Sequence, residues 1–274
     1  MGKAFSVTDK SIEQIAARLR AQVEELNLFD VNLWLGQPDY FPLAVALRAE
    51  ELVPAMGEYA IRGGLVSHWD GVRLSPQDGN QVLCDADAAL PSDVWTIWVG
   101  LPLGPREQGP IPAAGAPNSR MRGIRLFPRT HHFQLSPWVV GSLCEWSASR
   151  RLPLFLWHTE IDWESLHQIA TAFPNLTIVV ETQWQKILYR NRDLFSLLDA
   201  CGNVLVESSN LLGQDFVAWV VRHWGARRIL FGSFLPAADP YSAIGMILDA
   251  DISRDEKALI AGGNARAIVQ RVRA

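Results

Sequence analysis

The chain has 274 residues, of which 49% are hydrophobic and 20% are charged, and its formal net charge is −4. These values describe a globular protein with a large core. The slight acidic excess gives no reason to expect nucleic acid or an anionic membrane as a partner, and no apolar run reaches the length of a membrane span.

The three cysteines, Cys84, Cys144 and Cys201, are odd in number and far apart in the sequence. Such spacing does not suggest a disulfide framework and favours reduced thiols. We therefore expect a cytoplasmic protein.

Hydrophobic periodicity predicts strands and helices that alternate along the chain. Residues 11–26 have an apolar stripe at helical spacing and predict an amphipathic N-terminal helix. The eight predicted strands are residues 28–36, 61–69, 93–101, 121–127, 152–158, 176–182, 203–208 and 228–236. The predicted helices between and after them are residues 43–57, 80–90, 137–150, 162–173, 184–201, 214–224, 241–250, 253–261 and 264–272.

This alternation indicates parallel βαβ units, and eight of them close a (β/α)8 TIM barrel. We predict a single domain over residues 1–274. The N-terminal helix lies in 1–27, the barrel strands lie in 28–236 and the closing helices lie in 237–274.

The helix after the third strand is predicted to be absent. Residues 102–118 contain five prolines and three glycines, which disfavour a regular crossover helix. A proline-rich loop in its place would leave an apolar flank of the barrel exposed. We expect another subunit to cover this flank, so the chain is a candidate homo-oligomer.

Five segments, in order along the chain, carry a resemblance to one enzyme family. They are Asp30 to Gly36, Leu152-Pro153 to His158, Phe173-Pro174-Asn175-Leu176, Gly232-Ser233-Phe234-Leu235-Pro236 and Gly263-Asn264-Ala265. Together they resemble the amidohydrolase-related (amidohydrolase 2) TIM-barrel family of metal-dependent hydrolases, over about residues 28–270. The resemblance implies a metal centre, with zinc as the default, held by two histidines on strand one, one each on strands five and six, and an aspartate on strand eight.

Carried over one by one, those five positions hold Asn32, Trp34, His158, Thr182 and Phe234. Only the imidazole of His158 is a good metal ligand, because amide and hydroxyl oxygens bind zinc weakly and indole and phenyl rings do not bind it. We therefore predict a family member without the metal centre and without a cofactor. A shift of one residue on strand six, where Glu181 adjoins Thr182, stays open.

The candidate catalytic residues lie at predicted strand ends, where this fold places its chemistry. They are His158, Arg125, Glu181 and Glu207. His158 is alternatively a hydrogen-bonded core residue. Arg125 either holds a carboxylate bidentately or pairs with Asp30 or Glu207 inside the barrel.

A second set of residues is predicted to line the pocket. It consists of Asn32, Trp34, His68, Trp98, Thr182, Ser208 and Phe234. Several of the eleven tryptophans fall at predicted strand ends, which predicts an aromatic pocket. His68 with Trp69, and His131 with His132, are either surface or catalytic residues. Thr182 and Glu181 cannot both point into a regular barrel, because neighbouring strand residues face opposite ways.

Three functions remain open. The first is a barrel without a metal that binds a small molecule, which carries a carboxylate if Arg125 holds it. The second is a metal-independent hydrolase of lactones or esters, similar to 2-pyrone-dicarboxylate lactonase, in which His158 polarises the carbonyl and Glu181 or Glu207 activates water. Phe234 in place of the aspartate counts against the second. The third is an ordinary zinc-dependent amidohydrolase or decarboxylase.

Overall fold

The computed structural model describes residues 9–38, 46–104, 120–183, 185–211, 213 and 215–273. Eight parallel strands follow one another in a single sheet in the order of the sequence. They are β1 (Leu28–Leu35), β2 (Ile61–His68), β3 (Val94–Val99), β4 (Met121–Leu126), β5 (Leu154–Trp157), β6 (Ile178–Glu181), β7 (Val204–Glu207) and β8 (Ile229–Leu230).

Backbone hydrogen bonds join the last strand region to the first. The N–H groups of Val31 and Trp34 donate to the carbonyl oxygens of Phe231 and Leu235, each at 3.0 Å. The sheet thus closes on itself into the predicted (β/α)8 TIM barrel.

Helices connect the strands and cover the outside of the barrel. They are α1 (Asp9–Glu25), α2 (Ala49–Glu58), α3 (Asp70–Arg73), α4 (Pro76–Asp85), α5 (Pro137–Arg150), α6 (Trp163–Ala172), α7 (Asn191–Ala200), α8 (Phe216–Trp224), α9 (Pro240–Leu248), α10 (Arg254–Ala258) and α11 (Asn264–Arg271). The N-terminal helix is confirmed as α1, and α5 has the predicted bounds. Among the described residues, no helix has both the length and the apolarity needed to cross a membrane.

The helix between β2 and β3 begins earlier than predicted. We expected residues 80–90, and α4 covers Pro76–Asp85. Ser75 caps it, since its Oγ accepts the N–H of Asp78 at 3.1 Å, and Pro76 occupies the first turn. This cap signal fixes the start of the helix more strongly than the apolar pattern that we followed.

Two predicted segments fall largely or partly outside the described residues. The predicted proline-rich loop includes residues 105–119, and the start of the predicted helix 43–57 lies within residues 39–45. The absence of a helix after β3, and the flank that a second subunit would cover, therefore stay predictions.

Side chains inside the barrel form an apolar layer that we call the inner cluster. Its strand residues are Phe29, Val31, Leu65, Ile97, Phe155, Val179, Leu205 and Leu230. Alternate residues of the same strands, such as Ile124, Leu154 and Val180, face the helices in a larger outer core. This alternation decides which residues at the ends of the strands point into the barrel.

The motif Gly263-Asn264-Ala265 has a structural role. Asn264 is 5% exposed, and its Nδ2 donates to the carbonyl oxygens of Ala226 and Ile229 at 2.8 and 2.9 Å. Both carbonyls lie at the start of β8. The asparagine therefore fixes the last strand to the closing helices.

We expect Asn264→Ala to lower the free energy of unfolding by about 1–3 kcal/mol, because it removes two buried hydrogen bonds to backbone carbonyl groups. Urea unfolding followed by circular dichroism measures the change. Gln270→Ala, an exposed position on the same helix, is the matched control. Equal effects of the two substitutions would contradict this role for Asn264.

Candidate functional site

The strand ends hold a buried ion pair directly above the inner cluster. Nε and Nη2 of Arg125 donate to the two carboxylate oxygens of Glu181 at 2.9 and 2.6 Å. Both side chains are fully buried. The sequence left the partner of Arg125 open between a ligand carboxylate, Asp30 and Glu207, and its partner is Glu181.

The guanidinium group of Arg125 is enclosed by two aromatic rings. Its central carbon lies 4.5 Å from the ring centroid of Trp34 and 5.7 Å from that of Phe155. These cation–π contacts stabilise a buried cation. Among the described residues, no acceptor contacts Nη1 of Arg125.

Five aromatic rings close the mouth of the barrel above this pair, and we call them the aromatic plug. They are Trp34, Trp69, Phe127, Trp157 and Phe234, and none is more than 4% exposed. Trp34 stacks on Trp69 with centroids 4.4 Å apart, and Trp157 meets Phe127 edge to face at 4.9 Å. Each such pair contributes about 0.5–1.5 kcal/mol beyond its buried area.

Phe234 occupies the plug despite an unfavourable backbone conformation. Its φ is +65°, in the left-handed region that costs an L-residue about 1–2 kcal/mol and that aspartate and asparagine tolerate better. The aspartate that the resemblance places here would suit this backbone better than phenylalanine does. Contacts of the Phe234 ring with Trp69 and Trp157, both at 5.9 Å, offset this strain.

Glu207 ends β7 as a second buried carboxyl group. Its oxygens accept the N–H groups of Ser209 and Thr182 at 2.6 and 3.1 Å and the hydroxyl of Ser209 at 2.9 Å. Burial and the nearby charge of Glu181 raise the pKa of Glu207 to about 8. The group fits closely against Gly232, where an added Cβ would lie 2.1 Å from Oε1.

Burial has the same effect on the other carboxyl groups of the site. It raises the pKa of Glu181, although the charge of Arg125 acts in the opposite direction. It also raises the pKa of Asp30 to about 6, against hydrogen bonds from Ser233 and Asn32. Arg125 forms its ion pair with Glu181, and the charge of Glu181 adds to burial in raising the pKa of Glu207.

The predicted site residue His158 does not point to the centre of the mouth. At the end of β5 the inward residue is Trp157, because Phe155 two residues earlier lies in the inner cluster. Nε2 of His158 instead lies 3.0 Å from the carbonyl oxygen of Gln185, and burial lowers the pKa of His158. The alternative reading of His158 as a hydrogen-bonded core residue fits this geometry.

The same alternation applies on β6. Glu181 points inward, and Thr182 uses its hydroxyl to donate to the carbonyl oxygen of Glu207 at 3.1 Å and to accept the N–H of Asn210 at 2.8 Å. Thr182 therefore joins β6 to the loop after β7, and its place in the pocket stays a prediction.

On β1 the side chains do not alternate strictly. We expected Asp30, Asn32 and Trp34 on one face, but the pairing with β2 shifts register between Asp30 and Leu33. Val31 enters the inner cluster instead. Asn32 remains at the site, where its Oδ1 accepts from Nε1 of Trp34 at 2.7 Å and its Nδ2 donates to Gln183 at 3.2 Å.

The other predicted pocket residues have varied positions. Trp98 belongs to the outer core, whereas its neighbour Ile97 lies in the inner cluster, and its place in the pocket stays a prediction. His68 is 9% exposed, and its Nδ1 accepts the N–H of Asp70 at 3.1 Å. The hydroxyl of Ser208 accepts the N–H of Gly232 at 3.3 Å.

Sequence reasoning did not assign three members of the plug to the pocket. Trp69 directly follows β2, Phe127 directly follows β4, and Trp157 ends β5. Aromatic residues at successive strand ends were the available signal. We used it to predict an aromatic pocket, but the rings pack against one another and fill the mouth.

The residues at the site do not fit the metal centre that the resemblance implies. Trp34 and Phe234 offer no metal ligand, the amide oxygen of Asn32 is occupied by Trp34, and the hydroxyl of Thr182 is engaged by the backbone. Within the described part of the chain, no three His, Cys, Asp or Glu side chains converge in a metal-binding group. We therefore derive no step through a metal ion.

The fold and the strand-end site define a (β/α)8 barrel of the kind that carries its function at the carboxyl ends of the strands. The amidohydrolase family model matches residues 2–271, so the chain belongs to the amidohydrolase family. No curated protein sequence matches the chain.

Solved structures share the fold. 5-Carboxyvanillate decarboxylase from Sphingomonas paucimobilis aligns with a TM-score of 0.66 and 15% identity, over 89% of this chain and 99% of that one. A dihydroxybenzoic acid decarboxylase from Polaromonas sp. JS666, solved with manganese and 2-nitroresorcinol, aligns with a TM-score of 0.67 and 13% identity, over 90% of this chain and 98% of that one. A 2,6-dihydroxybenzoate decarboxylase in complex with 2,6-dihydroxybenzoate aligns with a TM-score of 0.64 and 12% identity, over 89% of this chain and 99% of that one. At these identities the likeness establishes the fold alone.

We expect Arg125→Met or Glu181→Leu to lower the free energy of unfolding by about 3–5 kcal/mol, since each leaves a buried charged group without its partner. The double variant Arg125→Met/Glu181→Leu should lose less than the two single losses together, because no charge remains buried. Guanidinium unfolding measures both effects.

The exposed pair of Arg254 and Glu25, with side chains 90% and 64% exposed, provides the control for this experiment. Arg254→Met should cost less than about 1 kcal/mol. Additive losses in the double variant at the barrel mouth would contradict the buried pair.

Glu207 makes stability depend on pH with a definite sign. Its pKa of about 8 in the folded protein exceeds the ordinary 4.5, so the folded state binds more protons between these values. The stabilisation that Glu207 adds to the folded state by binding this proton is fully present below about pH 4.5 and is lost as pH rises through about 8.

Glu207→Gln mimics the protonated group and should remove this dependence. We expect its Tm relative to the natural protein to rise between about pH 5 and about pH 8. Asp251→Asn, at an exposed carboxylate, is the control and should show no such trend. A constant difference for Glu207→Gln across this range would show that Glu207 is already ionised.

Proposed function

We propose that this amidohydrolase-family barrel has exchanged metal-dependent catalysis for metal-free binding of a small molecule that carries a carboxylate. The observation that carries the proposal is the replacement of the metal donors by packed rings above a single arginine. Trp34 and Phe234 occupy two ligand positions, while Arg125 lies below them as a fixed cation.

Arg125 supports a carboxylate as the ligand group. Its Nε and Nη2 bind Glu181, but Nη1 has no acceptor among the described residues. A carboxylate oxygen of a ligand would accept a hydrogen bond from this buried N–H group. Because both groups are charged, this hydrogen bond would be stronger than one between neutral groups. Because both side chains are fully buried, rings of the plug must move to admit the ligand.

The aromatic plug favours an aromatic ligand. Rings that already stack and meet edge to face can exchange one aromatic partner for another with little loss of contact. The names of the structural neighbours point to the same class, since they include decarboxylases of 5-carboxyvanillate and 2,6-dihydroxybenzoate. An aromatic carboxylate is therefore the first compound to test.

A second candidate is metal-independent hydrolysis of a lactone or ester. It is favoured by the raised pKa of Glu207, about 8, which lies in the range of a general acid or base near neutral pH. Turnover of a lactone or ester by protein treated with a chelator, lost in Glu207→Gln, would replace the first proposal.

We expect 2,6-dihydroxybenzoate to raise the Tm of protein that has been treated with a chelator. A concentration about one hundred times the Kd stabilises a folded protein by about 2.7 kcal/mol. Resorcinol, the same ring without the carboxylate, is the matched control and should leave the Tm unchanged. Product analysis by chromatography should detect no decarboxylation.

Three results would contradict the proposal. Equal shifts with resorcinol would remove the role of the carboxylate and of Arg125. No shift across a panel of aromatic and aliphatic carboxylates would show that the plug does not admit ligands. Decarboxylation that starts when manganese or zinc is added would show that the site retains metal chemistry.

A further inference from the structure

Within the described part of the chain, nothing covers much of the apolar face of the N-terminal helix. Val23 and Leu26, in and just after its C-terminal half, are each 8% exposed. Ile12, Ile15 and Leu19, in its first eleven residues, are 54%, 56% and 49% exposed. The same stripe is thus buried at one end and open to solvent at the other, which is unusual for three large aliphatic side chains on one helix.

A cavity of about 680 Å³ lies beside this open half. α1, the C-terminal end of α2 and α9 form its walls, with Ala16, Leu19, Tyr59, Tyr241, Ile244 and Leu248 among the lining residues. Further apolar surface continues around it, since Tyr241 is 55% exposed and Val53, one turn before the lining residue Gly57, is 50% exposed. Of the eleven exposed large hydrophobic residues in the described part of the chain, Leu19 and Tyr241 line this wedge, and Ile12, Ile15 and Val53 lie within one helical turn of a lining residue in the sequence.

The sequence of α1 is complementary to itself when two copies lie antiparallel. A two-fold axis that sets Ile15 against the partner's Ala16 also sets Ile12 against the partner's Leu19. The same axis places Glu13 opposite the partner's Arg18, and both residues are exposed. One symmetry operation therefore matches the apolar stripe with itself and pairs opposite charges beside it, as an isologous interface requires.

We propose that this chain forms a homodimer in which α1 packs antiparallel to α1 of a second copy, with each helix filling the wedge of the other. A stable interface buries about 1,200 Å² or more. The wedge between α1, α2 and α9 supplies the additional apolar area. The residues of this interface are not those of the aromatic plug at the barrel mouth.

Sedimentation equilibrium tests the dimer, and substitution of the central contact tests its position. We expect the natural chain to sediment as a dimer at micromolar concentration. Ile15→Glu places a charge at the apolar centre and should weaken dimerisation roughly a hundredfold, because it costs several kcal/mol at a buried position. Val82→Glu, at an exposed apolar residue on α4, is the control and should leave the dimer intact.

Exchange of the charges tests the register. Glu13→Arg and Arg18→Glu each set like charges opposite one another at two symmetry-related places, so each should weaken the homodimer roughly tenfold. The double variant Glu13→Arg/Arg18→Glu should restore it. An equimolar mixture of the two single variants should form heterodimers, because opposite charges then face each other again.

A chain that is monomeric at all these concentrations would overturn the proposal, as would a dimer that Ile15→Glu leaves unchanged. A dimer lost in Ile15→Glu but insensitive to the charge exchange would exclude the antiparallel register. Circular dichroism and Tm of each variant show that the barrel is folded, because these positions are exposed in the isolated chain.

Discussion

The buried charge of Arg125 is the constraint on which the site depends. A guanidinium group enclosed inside a barrel is stable only if a carboxylate neutralises it and its surroundings exclude water. Glu181 supplies two charge-assisted hydrogen bonds, and Trp34 covers the group at 4.5 Å. The stack of inner cluster, ion pair and plug follows from this requirement.

The same constraint sets the electrostatics of the strand ends. Arg125 forms its ion pair with Glu181, and burial together with the charge of Glu181 raises the pKa of Glu207 to about 8. A metal ion at this centre would add two positive charges and require several anionic or neutral donors. The side chains present offer neither the donors nor the space, since Trp34 and Phe234 fill it.

The fold was predictable from the sequence because barrel strands and helices repeat strong apolar patterns. Arg125, Glu181 and Glu207 were found because strand ends carry the function of this fold. Trp157 was missed because the choice between it and His158 depends on which strand residues face inward, and the register shift on β1 likewise cannot be read from an alternating pattern. The partner of Arg125 depends on contacts across 56 residues, which no local signal specifies.

The most direct test is a crystal structure of the protein soaked with zinc and manganese and measured at the absorption edges of both metals. We predict no anomalous peak at the barrel mouth, with Trp34 stacked on Trp69 and Arg125 bound to Glu181. An anomalous peak within bonding distance of Asp30, His158 or Glu207, with the rings displaced, would contradict the replacement of the metal centre by the aromatic plug.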